Sequence, residues 1–263
     1  MNRINEKFLQ LREKGEKAFI TFISSGDPDP LRSEEIVFTL EEGGVDIIEL
    51  GVPFSDPVAD GPTIQASSQR ALNKKINVQK VLQMVKRIRK KSEIPIVLLT
   101  YFNPIYQFSL EKFIWEAKRA GVDGIIVPDL PPEEAAQLKI IADKAELNLI
   151  FLLAPTSDKK RIKIISELSQ GFIYVVSVTG ITGAREEIPY PIKEVISQIR
   201  KFTNKPVCLG FGISTPEQVK VVKDWVDGII VGSALIRIIE KNLKNQDLLR
   251  KIEKFTRGLK DSL

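Results

Sequence analysis

The sequence predicts one (β/α)8 barrel of the α/β class, a TIM barrel, with an extra N-terminal helix and extended loops after strands 2 and 6. Three observations carry this. Eight short apolar runs rich in β-branched residues recur along the 263 residues. Stretches with a 3.6-residue apolar period lie between them, so strand and helix alternate. The length suits such a barrel, which takes ~250 residues, and no Gly/Ser-rich linker divides the chain. Residues 1–263 are therefore expected to form a single domain. A doubly wound sheet would have fewer strands and a reversal of their order; eight evenly paced runs favour the barrel.

In chain order, a first helix is expected over 3–14, placed to plug the barrel bottom. Strand runs follow at 18–23, 45–50, 95–100, 122–127, 147–153, 172–177, 206–210 and 228–231. Each is apolar almost throughout, the pattern of parallel strands covered on both faces. Helical periodicity is clear over 110–120, 132–145 and 159–168. The second and third runs start 50 residues apart and enclose two helical patterns, 63–72 and 78–90, behind the loop 51–61. The next longest interval follows the sixth run and opens Val178-Thr179-Gly180-Ile181-Thr182-Gly183-Ala184-Arg185. Active sites of these barrels lie in the loops at strand C-termini, so function is expected there. Gly44-Val45-Asp46, Gly121-Val122-Asp123 and Val226-Asp227-Gly228 share a helix-exit, strand-entry pattern that turn chemistry at three αβ loops explains.

Composition removes whole classes of chemistry. The chain has no histidine and one cysteine, which excludes a Ser-His-Asp triad, a Cys-His pair, His-ligated zinc, an intrachain disulfide and a four-cysteine metal site. No metal site is expected. The net charge of +5 could suggest an anionic partner, but the basic runs at 86–91 and 159–163 alternate with apolar residues at helical spacing and read as solvated helix faces. No nucleic-acid partner is expected. The first residues are too charged for a signal peptide and no apolar run approaches the ~18 residues of a membrane span, so a cytoplasmic protein without membrane contact is expected.

No lysine stands at a strand end, which disfavours Schiff-base chemistry and leaves carboxylates. Glu49 interrupts the apolar run Ile47-Ile48-Glu49-Leu50. Unpaired there, it would have a raised pKa and suit proton transfer; hydrogen-bonded to amides or an inward lysine, it would be structural. Asp60 lies in a loop punctuated by Pro and Gly that can fold over the mouth, or it is a helix N-cap or turn aspartate. Gly210-Phe211-Gly212 and Gly232-Ser233-Ala234 leave the seventh and eighth strands, where such barrels often bind phosphate on bare amides, unless they are tight turns only. Cys208 is expected in the core.

The segment Ile48-Glu49-Leu50-Gly51-Val52-Pro53-Phe54-Ser55-Asp56-Pro57-Val58-Ala59-Asp60-Gly61-Pro62 closely resembles the signature of the tryptophan synthase alpha subunit family. Similarity continues through Phe22 with Gly26-Asp27-Pro28, Thr100-Tyr101-Phe102-Asn103-Pro104, Val127-Pro128-Asp129-Leu130-Pro131, Tyr174 with Ser177, Gly180-Ile181-Thr182-Gly183 and the two glycine loops. The resemblance implies retro-aldol cleavage of indole-3-glycerol phosphate to indole and glyceraldehyde 3-phosphate. It makes Glu49 the acid/base at the indole carbon and the side-chain hydroxyl, and puts Asp60 at the ring N–H. Phe22, Leu99, Tyr101, Ile126, Leu152 and Tyr174 would line the indole slot, and Thr182 would close over Asp60. Gly183, Gly212, Gly232 and Ser233 would hold the phosphate. Indole would pass to a beta subunit in an αββα assembly, with Pro53, Phe54, Asp56, Asn103 and Pro104 as an exposed docking surface. Pyridoxal phosphate would belong to that partner, and no cofactor is expected in this chain. Val178 stands where some relatives carry a basic residue, which bears on loop closure. The competing readings are another phosphate-binding barrel enzyme, such as an indole-glycerol-phosphate synthase, and a non-catalytic barrel that activates a beta-type partner. The first lacks its strand-end lysine here; the second would have dispensed with Glu49 or Asp60.

Overall fold

In the computed structural model the described residues are 1–176, 192–210 and 212–263. Helix α1 (Arg3–Lys14) starts at Asn2, whose side chain accepts the Ile4 N–H, and ends on left-handed Gly15. Then follow β1 (Ala18–Ser24), α2 (Pro30–Glu42), β2 (Ile47–Gly51), α3 (Pro62–Asn73), α4 (Val78–Ile88) and β3 (Ile96–Leu99). The middle of the chain forms α5 (Phe102–Phe108), α6 (Leu110–Ala120), β4 (Gly124–Ile126), α7 (Ala136–Lys144), β5 (Asn148–Ile150), β6 (Leu152–Leu153), α8 (Lys159–Leu168) and β7 (Ile173–Val176). The remainder gives α9 (Ile192–Arg200), β8 (Val207–Gly210), α10 (Pro216–Val222), β9 (Gly228–Val231), α11 (Ser233–Lys241) and α12 (Leu248–Lys260).

All pairings are parallel, in the order β5-β4-β3-β2-β1-β9-β8-β7-β6. The two ends of that order are consecutive in the chain, separated only by Phe151, so the sheet returns on itself as a barrel of eight staves. The fifth expected strand is thus two pieces. The cause is local: the Phe151 N–H leaves the ladder for the Ser169 hydroxyl at 3.1 Å. The helix expected over 132–145 begins at Ala136 instead, because 131–135 form successive turns led by Pro131 and Pro132. The long interval after the second strand does hold α3 and α4. The loop after the sixth expected strand lies outside the described residues, as does Ser177.

Side chains alternate in and out along each strand. Ile20, Ile47, Val97, Ile126, Ile150, Phe172, Cys208 and Ile230 fill the barrel, with Ile4, Phe8 and Leu11 of α1 closing it from below. Cys208 is wholly buried there, as expected. Phe8, Phe172 and Tyr174 form a column, with ring centroids 5.8 and 6.4 Å apart. The outward faces pack against the helices in a second, larger core.

The three similar strand entries have one physical job. Asp46 accepts the Phe19 N–H at 2.9 Å and Lys260 at 2.7 Å. Asp123 accepts the Ile96 N–H at 2.8 Å, Arg89 at 2.7 Å and Arg3 at 3.0 Å. Asp227 accepts the Val207 N–H at 2.7 Å and pairs with Arg200. Each ties the bottom of one strand to its neighbour. No helix among the described residues is long and apolar enough to cross a membrane.

Candidate active site

Glu49 sits in β2, in register with Phe22 of β1 and Val97 of β3. Two residues on from inward-facing Ile47, it points into the barrel near its mouth. It is wholly buried, and neither carboxyl oxygen has a hydrogen-bond partner among the described residues. Among the described residues it thus lacks the amides or lysine that the structural reading needs. Burial alone pushes its carboxyl up to about 8, so the group holds its proton near neutrality.

Asp60 arrives from the other side, in the loop between β2 and α3. Its N–H donates to Pro57 O at 3.0 Å and its own carbonyl accepts Gln65 Nε2 at 2.7 Å. The N-cap of α3 is Gly61, without a side-chain cap, so Asp60 is no capping residue. Burial pushes its carboxyl up to about 6, opposed by a hydrogen bond from Tyr101. The Tyr101 hydroxyl also accepts the Ala59 N–H at 3.0 Å, and its ring lies 5.3 Å from Phe54. Burial and then the Asp60 charge push the Tyr101 phenol above its ordinary value. Sequence reasoning gave Tyr101 a place in the slot lining and missed this grip on the Asp60 loop.

Phe22, Gly51, Asp60, Leu99 and Tyr101 share one narrow cleft. Leu99, Leu152 and Tyr174 are partly buried and pack against the barrel filling that contains Ile126, with Leu99 in register with Ile126. The expected slot residues are therefore together. Two glycines make room for its rings. A Cβ on Gly51 would stand 2.6 Å from the Phe22 ring, and one on Gly210 would collide with the Tyr174 ring. Burial, and next the charge of Glu49, raises the Tyr174 phenol well above its ordinary value.

The phosphate candidates stand at the ends of β8 and β9. Gly212 has a left-handed backbone (φ +34°) facing open space. Gly232 precedes α11, has no side-chain cap, and stands beside Phe22, with Ser233 as the first helical residue. Bare N–H groups at a helix N-terminus suit an anion. Thr182, Gly183 and Val178 lie outside the described residues. The docking candidates divide: Asp56 and Asn103 are exposed, Pro104 is half-buried, and Pro53 is buried with Phe54 half-buried beside it. The segment was expected to be exposed throughout, but Phe54 packs on Tyr101 and its N–H donates to Ser68 Oγ at 3.1 Å. Among the described residues no cluster of metal-ligating side chains occurs.

Fold and site together define a class: a (β/α)8 barrel whose mouth holds two carboxyls with raised pKa beside an apolar cleft, with glycine turns at the ends of β8 and β9. The family profile described as "tryptophan synthase alpha chain" matches residues 8–263. A tryptophan synthase alpha chain of Thermoanaerobacter sp. (strain X514) is 52% identical over 263 residues, 100% of both chains. The crystal structure of tryptophan synthase subunit alpha from Legionella pneumophila superposes with a TM-score of 0.92 at 36% identity, covering 100% of this chain and 98% of that one. A structure of the tryptophan synthase α2β2 complex from Pyrococcus furiosus matches with a TM-score of 0.86 at 39% identity, covering 92% and 97%. The chain belongs to the tryptophan synthase alpha chain family. It is a lyase that cleaves indole-3-glycerol phosphate, the half-reaction that supplies indole.

Proposed function

We propose that Glu49 moves the protons of this cleavage and that Asp60 carries the developing charge on the indole nitrogen. Protonated Glu49 delivers its proton to C3 of the ring, giving an indolenine cation. The Asp60 carboxylate accepts the ring N–H and stabilises that positive charge. The Glu49 carboxylate then takes the proton of the hydroxyl on the carbon attached to C3. The C3–carbon bond breaks, its electron pair restores neutral indole, and the hydroxyl becomes the aldehyde of glyceraldehyde 3-phosphate. Glu49 ends as it began, so the protons balance on one residue. The observation that carries this reading is the wholly buried carboxyl of Glu49, without a hydrogen-bond partner among the described residues and held up to about 8.

Phe22, Leu99, Tyr101, Ile126, Leu152 and Tyr174 hold the indole ring. The amides of Gly212, Gly232 and Ser233 hold the phosphate, with Gly183 and Thr182 completing the site from their own loop. The partner is a tryptophan synthase beta subunit in an α2β2 assembly, met by Asp56, Asn103 and Pro104 and by Pro53 and Phe54 behind them. Pyridoxal phosphate belongs to that subunit; this chain works without a cofactor, in the cytoplasm. Release of glyceraldehyde 3-phosphate from indole-3-glycerol phosphate, measured with and without a beta subunit, tests the reading. No release even with the partner would overturn it.

A further inference from the structure

The helix that follows Asp60 is held in place by three of its side chains. Ser67 Oγ lies 2.5 Å from Ser24 Oγ at the end of β1. Ser68 Oγ accepts the Phe54 N–H. Arg70, in the last turn of α3, makes the most demanding connection. Its Nε and Nη2 grip both oxygens of Asp27 at 2.7 and 2.9 Å, and its Nη1 reaches Glu240 Oε1 at 3.1 Å. Asp27 follows β1 and is wholly buried, whereas Glu240 is on α11 and largely exposed. A bidentate guanidinium–carboxylate pair fixes distance and orientation together. One side chain thus sets the rotation of α3 against both the β1 rim and α11, the helix whose first residue is Ser233.

We propose that Arg70 is a positioning residue for Asp60, acting by locking α3 to Asp27 and Glu240 so that the loop entering the helix stands at one place over the slot. The proposal rests on the role given to Asp60 above. α3 begins two residues after Asp60, so turning the helix about its axis swings Asp60 directly, and displacement near 1 Å at a reacting group costs ~10²-fold in rate. Loosening the loop also admits water to Asp60, whose raised value comes from burial.

Arg70→Ala would strand the buried Asp27 carboxylate and endanger folding, so the test uses Arg70→Lys, which keeps the charge and loses the fork. In the full chain with its beta subunit, kcat for indole-3-glycerol phosphate cleavage should fall about 10- to 100-fold. The acid limb of kcat/KM should move down by about one pH unit. In an Asp60→Asn background the same substitution should cost nothing further, because a group acting only through Asp60 has nothing left to position. Ser67→Ala, which frees α3 from Ser24, should shift the limb the same way by less. Arg70→Lys with parental kcat and acid limb overturns the proposal, and so does an equal loss in both backgrounds, which marks a purely structural role. Asp60→Asn with parental activity overturns the role of Asp60 and this proposal with it.

Discussion

Both ends of the barrel carry acidic side chains wholly or partly withdrawn from water, and apart from Asp27, held by Arg70, the two ends partner them differently. At the bottom, Asp46, Asp123 and Asp227 each accept the N–H that opens the neighbouring strand, and each meets a lysine or arginine. At the mouth, Glu49 has no partner among the described residues, and Asp60 has Tyr101. Only three positions separate Asp46 from Glu49. The residue type therefore says little; what counts is whether hydrogen bonds and counter-charge offset the cost of burial. Where they do, the carboxylate holds strands in register. Burial raises Asp123 as well, against the opposing pull of the Ile96 N–H, Arg89 and Arg3, but at Glu49 nothing among the described residues opposes it and the carboxyl is pushed up to about 8, the property proton transfer needs.

The sharpest way to break this contrast is Glu49→Gln. Release of glyceraldehyde 3-phosphate should fall about 10³-fold, while the melting temperature stays level or rises. The sign follows from linkage. The unfolded chain gives up the Glu49 proton near the ordinary 4.5, and the native chain keeps it until about 8. The unfolded state therefore binds fewer protons across that window, and parental stability falls as pH rises from 4.5 to 8. The glutamine variant should lack this slope in urea titrations run across the window; a slope that persists would place the burden elsewhere.

Asp123→Ala should show the reverse phenotype. It leaves Arg89, Arg3 and the Ile96 N–H without their acceptor and should cost about 3 kcal/mol or more in urea unfolding. The kcat of the molecules that remain folded should stay near parental. A comparable loss of kcat would mean that the two ends are not separable. Asp60→Asn comes next, with about 10²-fold lower kcat/KM and, since its raised value has the same sign as that of Glu49, a urea midpoint near neutrality that stays level or rises. The smallest effect is one of shape. The parental kcat/KM profile should be a bell with limbs near 6, below which Asp60 is neutral, and near 8, above which Glu49 is ionised. In Asp60→Asn the lower limb should vanish and the upper remain.

The same contrast explains what could be read from the sequence. A strand buried on both faces shows itself as an unbroken apolar run, and Glu49 was visible because it breaks one. The repeated aspartates were visible as turns, but their counter-ions were not. Lys260 lies at the far end of the chain from Asp46, and Arg3 comes to Asp123 from α1. Arg70 gave no signal at all, since a cation in the last turn of a helix is ordinary and Asp27 meets it only through the fold. The break at Phe151 was equally hidden, because it depends on a serine hydroxyl replacing a backbone acceptor. Asp60 could be a cap or a catalyst by its spacing alone, and the resemblance decided between them.

The ring column has a further consequence. Tyr174, proposed above as one wall of the indole slot, stands on Phe172, which stands on Phe8 of the first helix. The N-terminal plug is thus the footing of the proposed slot. A shorter side chain at Phe8 would take away a footing, let the rings above settle, and deepen the chamber beneath the indole. Through this column the first helix would act on the proposed slot from the far end of the barrel.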